Sequence, residues 1–259
     1  MCFRYTGENK IIKQIKRFVL LLGFMTRIPV PFSLKINPEE WGKSLLFAPL
    51  VGIVIGGILS GAFYLLEFVF PSSVNVVLIL VFYILITGGL HLDGLGDTFD
   101  GLFSNRPKEE ILKIMHDSRL GTNALLAVIS VLFLDLTFLY EIQKKGEILR
   151  TLLLMPAAGR MGILAVGGLY SYAKNQDGFA KLFIEHCKTN EFILGFIFYF
   201  IACLIVYGKP AVILSISTTI IPLGIAYLMS RKIDGVTGDI LGCICELNQV
   251  VFLTSVYLF

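Results

Sequence analysis

Apolar residues run in long, nearly uninterrupted stretches. They extend from about Ser44 to Phe70, Val74 to Leu92, Leu120 to Tyr140, Ile148 to Leu169, Phe192 to Tyr207, Ala211 to Met229 and Ile240 to Leu258. A helix needs about 20 apolar residues to cross the hydrocarbon core of a bilayer, so the pattern predicts about seven spanning helices. No strand-like alternation is long enough for a membrane barrel. No low-complexity linker or break in composition divides the chain, so residues 1–259 read as a single helical membrane domain. The fold class expected is all-α, a polytopic integral membrane protein. Ahead of the first stretch, Phe18 to Met25 is too short to span. It follows Arg4, Lys10, Lys13, Lys16 and Arg17, and no small-residue cleavage site succeeds it, unlike a signal peptide. It reads as an interfacial or re-entrant helix broken by Pro29 and Pro31.

Composition agrees. The chain is 56% hydrophobic and 16% charged, against about 25% charged residues in an ordinary soluble domain. A net charge of +3 with no basic face argues against a nucleic-acid partner and for a membrane-lipid one. Five cysteines, Cys2, Cys187, Cys203, Cys243 and Cys245, sit mostly within apolar stretches and read as small buried residues rather than a disulfide framework. His91, His116 and His186 form no H-x-x-x-H pair, which argues against zinc.

The basic residues set an orientation. The N-terminal cluster with Arg27, Lys35 and Lys43, then Arg106, Lys108, Lys113 and Arg119, then Lys174, Lys181 and Lys188, and finally Arg231 and Lys232 all fall on one side, the cytoplasmic one. Lys144, Lys145 and Arg150 fall on the other and disagree. By this count the polar segments 91–123, 171–189 and 231–239 emerge together, and a site built from them would face the cytoplasm across an inner or plasma membrane.

Those segments carry the candidate chemistry. Asp93, Asp97 and Asp100 stand at i, i+4 and i+7, within an arc of about 60° on a helix. Three carboxylates on one face repel one another, and an acid at full membrane depth costs about 2.5–3.5 kcal/mol. A bound cation reverses both effects, and hard oxygen ligands select Mg²⁺ or Mn²⁺. Asp117-Ser118-Arg119-Leu120-Gly121-Thr122-Asn123 follows. There the Arg119 fork suits a phosphate, and Ser118, Thr122 and the free N–H groups of a helix start would add donors. A third cluster is Asp234-Gly-Val-Thr237-Gly238-Asp239, with Glu246 inside the last span at i+7 from Asp239, on the same helix face. Arg160 and Asp135 lie within spans; they would neutralise each other, or Arg160 would reach an anionic ligand.

Four pieces of the chain resemble one family, the cobalamin synthases or adenosylcobinamide-GDP ribazoletransferases. They are Thr26-Arg27-Ile28-Pro29, the run from Gly89 through Asp93, Asp97 and Asp100 to Leu102, the segment Asp117 to Asn123, and Gly235-Val236-Thr237-Gly238-Asp239-Ile240-Leu241-Gly242. Between 124 and 230 the likeness is mainly one of hydropathy, apart from Gly159-Arg160 and Tyr172-Ala173-Lys174, where family members often have Arg in place of Lys174. The resemblance implies a Mg²⁺-dependent enzyme. It would join adenosylcobinamide-GDP to α-ribazole or its 5′-phosphate, release GMP and form adenosylcobalamin or its 5′-phosphate, late in cobalamin biosynthesis. It also leaves room for association with other corrinoid-assembly enzymes.

For this chemistry Asp93 and Asp97 would ligate Mg²⁺ across the pyrophosphate. Asp100, or alternatively Asp239, would ligate a second ion or take the hydroxyl proton. Arg119 and Arg160 would hold phosphate charge, with Arg27, Asp117, Ser118, Thr122, Asn123, Thr237 and Glu246 as further substrate contacts. Two other Mg²⁺-dependent classes use acidic motifs on diphosphates, membrane prenyltransferases and CDP-alcohol phosphotransferases. The second lacks support because Asp93-Gly94 is not followed by Ala-Arg and Asp97 comes too soon. A transporter would use the same charges as a pathway, but no inverted repeat of broken helices is apparent.

Overall fold

The helix from Ile148 to Leu169 lies at the centre of the molecule, and almost all of its middle is buried. In chain order the elements are α1 (Lys10–Met25), α2 (Pro38–Lys43), a 3-10 turn (Ser44–Phe47), α3 (Ala48–Leu66), α4 (Ser72–Thr87), α5 (Leu90–Leu102), α6 (Lys108–Met115), α7 (Thr122–Lys144), α8 (Ile148–Leu169), α9 (Phe179–His186), α10 (Thr189–Tyr207), α11 (Ala211–Ile233) and α12 (Gly238–Tyr257). The structure is a computed structural model and describes residues 10–30, 37–173 and 178–259. Cys2, Arg4, Pro31, Lys35 and Lys174, named above, lie outside them. Among the described residues the only sheet-like pairing is a parallel bridge, Tyr172 with Val236, which ties the loop after α8 to the loop after α11.

Among the described residues six helices are long and apolar enough to cross a membrane: Pro38–Leu66, Thr122–Lys144, Ile148–Leu169, Thr189–Tyr207, Ala211–Ile233 and Gly238–Tyr257. A seventh crossing is available only as the bent pair α4 and α5, which meet at 89°. Here the structure corrects the straight span expected from Val74 to Leu92. Gly88 and Gly89 take φ of 64° and 70°, the left-handed conformation that residues with a Cβ avoid, and the chain turns there. The N-terminal element is a 16-residue amphipathic helix, α1, longer than the run Phe18 to Met25. Its Arg17 and Lys13 both bond Glu40 at 2.7 Å, which docks it on α2.

Close backbone approach organises the centre. α3 lays Gly52 and Gly56 against residues 152–157 of α8, a small-x-x-x-small packing suited to helices in lipid. On its opposite side α8 meets α12, where Asn248 donates to the Ala158 carbonyl at 2.5 Å and to the Thr218 carbonyl at 2.9 Å. The four described cysteines are free and buried, as their apolar settings predict.

Charges that contradicted the expected orientation turn out to be paired. Lys144 bonds Glu141, Arg150 bonds Glu147, and Lys145 donates to the Tyr257 carbonyl at the end of α12. These bonds hold the three cations at the protein surface, but orientation follows the basic residues and not the net charge, so this loop still stands against the expected side. At the other end of the bundle α5, α6, α9 and the starts of α7 and α12 gather, with Lys108 bonded to Asp234 at 3.0 Å and Lys232 donating to the Leu102 carbonyl at 2.8 Å. The three polar segments do emerge together.

Candidate active site

The site is built where α5 crosses α12. Asp93 lies in the first turn of α5 and Asp97 one turn on. α12 begins at Thr237, whose hydroxyl accepts the Ile240 N–H at 3.3 Å, and Asp239 lies in its first turn. Asp93 and Asp239 therefore sit at helix N-termini, where the macrodipole favours negative charge. The crossing runs over Gly94 and Gly242. A Cβ on Gly94 would stand 2.9 Å from the Asp239 carbonyl oxygen and 3.3 Å from the Gly242 Cα. Only bare backbone allows this approach, and it brings Asp239 beside the α5 acids.

Asp93, Asp97 and Asp239 line one cavity of about 420 Å³, together with His116, Asp117, Ser118 and Arg119. Asp117 and Arg119 face each other at its rim. The guanidinium bonds both carboxylate oxygens at 2.5–3.1 Å and holds the Asp117 carboxyl down at about 2. Arg119 is 87% exposed. Arg27 stands on the other flank. Its N–H donates to the Ile86 carbonyl at 2.7 Å, its side chain crosses Gly88, and it shares a wide cavity of about 640 Å³ with Asp93.

Several expected residues have other duties. Asp100 accepts the Gly121 N–H at 2.7 Å and the Ala124 N–H at 2.9 Å, one on each oxygen. That corrects two expectations: Asp100 caps α7 from across the sequence instead of facing the cavity, and the start of α7 does not offer those N–H groups to a phosphate. Thr122 and Asn123 are exposed on the first turn of α7 and do not line the acidic cavity. Replacing Asp100 by alanine should cost about 1 kcal/mol, the usual worth of a cap. It is measured as a lower melting temperature in detergent, with turnover falling only as far as stability does. Complete loss of turnover at unchanged stability would return Asp100 to the reacting centre.

Arg160 and Glu246 lie deeper than expected, at 0% and 1% exposure. Glu246 accepts from the Tyr83 hydroxyl and from Gln249 Nε2, both at 2.8 Å, so its oxygens are engaged by the protein. Arg160 donates one bond, to the Pro156 carbonyl at 3.1 Å. Among the described residues no ion pair joins it to Asp135, which is buried with one oxygen unpartnered. The two do not neutralise each other, and neither Arg160 nor Glu246 reaches the acidic cavity. They belong to an internal polar layer with His91 and Cys245. The ligand atoms of His91, Cys245 and Glu246 lie within 4.8 Å of one another. The Arg160 cation lies within electrostatic reach of all three, which opposes a second cation there.

Divalent metal fits the acidic cavity better. Among the described residues the carboxylates of Asp93 and Asp97 have no hydrogen-bond or ion-pair partner, and three carboxylates without a cation repel one another. Their donors are all hard oxygens, as Mg²⁺ prefers. His116, which lines this cavity, was not singled out in the sequence. Its only signal was adjacency to Asp117.

The comparisons with known proteins converge. The family model described as cobalamin-5-phosphate synthase matches residues 17–257. A relative from Acetivibrio thermocellus, named adenosylcobinamide-GDP ribazoletransferase, is 49% identical over 248 residues, covering 96% of this chain and 100% of its own length. One of the same name from Clostridium acetobutylicum is 46% identical over 242 residues, covering 93% of this chain and 96% of its own. A third, from Clostridioides difficile, is 40% identical over 258 residues, 94% of this chain and 98% of its own. No solved structure matches.

Proposed function

The chain belongs to the cobalamin-5-phosphate synthase family, and from that premise we propose how its acidic cavity does the family's work. The protein is an enzyme that joins adenosylcobinamide-GDP to ribazole in cobalamin biosynthesis. The single observation that carries the assignment of the site is the meeting of Asp93 and Asp97 with Asp239 in one cavity.

A ribose hydroxyl of the ribazole attacks the phosphorus nearer the corrinoid. The new O–P bond forms as the bond to the bridging oxygen breaks, and GMP leaves with that oxygen. Asp93, Asp97 and Asp239 would hold Mg²⁺. When bound, that ion supplies neutralisation of the pyrophosphate and of the charge growing on GMP. The protein's own part is placement and charge. Asp239 receives the hydroxyl proton, since Asp100 is committed to α7. Arg119 exchanges Asp117 for a phosphate oxygen. The exchange is easy because the pair is exposed and water screens it. Arg27 holds charge on the opposite flank. The corrinoid itself, large and apolar on one face, rests at the membrane surface. Basic loops around the cavity support a cytoplasmic orientation in the cell membrane, and α-ribazole 5′-phosphate is the form of ribazole that offers Arg27 and Arg119 a second anion.

Purified protein in lipid nanodiscs should release GMP in step with corrinoid product, from adenosylcobinamide-GDP and α-ribazole 5′-phosphate, and lose that activity in EDTA. Movement of substrate across vesicles without GMP release would contradict the reading. Arg119→Ala should raise KM for adenosylcobinamide-GDP about tenfold, the worth of one charge-assisted contact. Arg119→Lys should recover only part of it, because an ammonium cannot make the paired bonds of the guanidinium fork. Steady-state kinetics at fixed ribazole phosphate measures both.

A further inference from the structure

A smaller cavity of about 240 Å³ opens behind the acidic one, and Asp93, His116 and Asp239 line both. Apart from that shared edge its walls are largely apolar and aromatic, with Phe24, Ile163, Tyr172, Phe179 and Phe183 among them. Phe24 and Phe179 stack with centroids 5.1 Å apart, and Phe183 tilts against Phe24 at 5.5 Å. His91, Tyr172 and Thr237 also bring polar atoms to it, and the Thr237 hydroxyl already accepts the Ile240 N–H and donates to Asp239. His91 is 5% exposed, and its Nδ1 has no hydrogen-bond partner. A buried ring nitrogen left in this state costs about 1–3 kcal/mol. The cavity therefore suits a flat, mostly apolar ring with an acceptor for the unpartnered His91 nitrogen, held at one end beside the reacting carboxylates.

We propose that this cavity receives the heteroaromatic base of ribazole, with His91 Nδ1–H donating to the base's free ring nitrogen; the proposal rests on the ribazoletransferase reading above. Size excludes the corrinoid, because drug-sized ligands already fill roughly 300–1,000 Å³. Chemistry disfavours guanine. Its edge carries several donors and acceptors, and a mostly apolar wall whose polar side chains away from the acids are His91, Tyr172 and the already bonded Thr237 would leave part of that edge unpaired, at about 1–3 kcal/mol for each group. A benzimidazole-type base has one free ring nitrogen and otherwise presents apolar surface to the aromatic wall. Placing the base here points its ribose toward Asp239, the carboxylate that takes the hydroxyl proton.

Phe179 is 46% exposed, and an unchanged melting temperature in detergent checks that Phe179→Ala keeps the fold. In nanodiscs this variant should raise KM for α-ribazole 5′-phosphate about tenfold, while KM for adenosylcobinamide-GDP stays within about twofold. Wild-type enzyme should also prefer α-ribazole 5′-phosphate about tenfold over an analogue whose free ring nitrogen is replaced by C–H. His91→Leu should erase that preference. A rise in KM for adenosylcobinamide-GDP alone would assign the cavity to guanine and overturn the proposal, as would unchanged kinetics in Phe179→Ala. If wild-type protein releases no GMP, the functional reading fails. Equilibrium binding of α-ribazole 5′-phosphate then still decides the cavity: weaker binding by Phe179→Ala supports it, and equal binding refutes it.

Discussion

Asp97→Asn should lower GMP release at least about a thousandfold while leaving the protein folded and slightly more stable. Asp97 stands on α5 between the first-turn Asp93 and the capping Asp100, and it faces Asp239 across the cavity. Asparagine keeps its shape but removes one of three crowded negative charges. Without metal, that loss relieves repulsion, so the melting temperature in detergent should hold or rise. With metal and substrate, it removes a hard anionic ligand from the place where pyrophosphate charge must be neutralised. A change that stabilises and inactivates together separates a metal ligand from a structural residue, whose loss lowers both. Near-normal turnover in this variant would remove Asp97 from the site.

Gly94→Leu should act through backbone. Even its Cβ would stand 2.9 Å from the Asp239 carbonyl oxygen and 3.1 Å from the Asp239 Cα, and neither can swing aside as a side-chain tip would. The helices must part. Overpacking of this kind costs about 1–3 kcal/mol, and a displacement of about 1 Å at a reacting centre costs about a hundredfold in rate. Turnover should therefore fall further than the melting temperature suggests. Gly61, on α3, has nothing within 4 Å of its would-be Cβ, and Gly61→Leu should change neither quantity. Equal losses in the two variants would show that the crossing of α5 and α12 does not align the acids.

The spans were legible because lipid demands a long apolar run and little else. The gathering of acidic segments at one end followed from counting crossings. The bend at Gly88–Gly89 was not foreseen, because two glycines in a hydrophobic stretch also fit an unbroken membrane helix. Asp100 lay in the right motif and on the right helical arc. Its bonds to Gly121 and Ala124 depend on how α7 docks, and no periodicity within α5 carries that information. Arg160 and Glu246 were marked by their rarity in a span. The sequence showed that they need partners but not that those partners, Tyr83, Gln249 and Pro156, belong to the protein itself. The aromatic cavity assembles from α1, α5, α8, α9 and α12, and no single segment announces it.

If the acids of α5 and α12 together hold a divalent ion, that ion should bind before any substrate does. Mn²⁺, a paramagnetic stand-in for Mg²⁺, can be titrated into the protein in nanodiscs and its free fraction read by electron paramagnetic resonance, without substrate or turnover. Wild-type protein should bind Mn²⁺ in competition with Mg²⁺, and Asp97→Asn and Asp239→Asn should each weaken that binding at least about tenfold. Equal Mn²⁺ binding by the wild type and both variants would contradict the account.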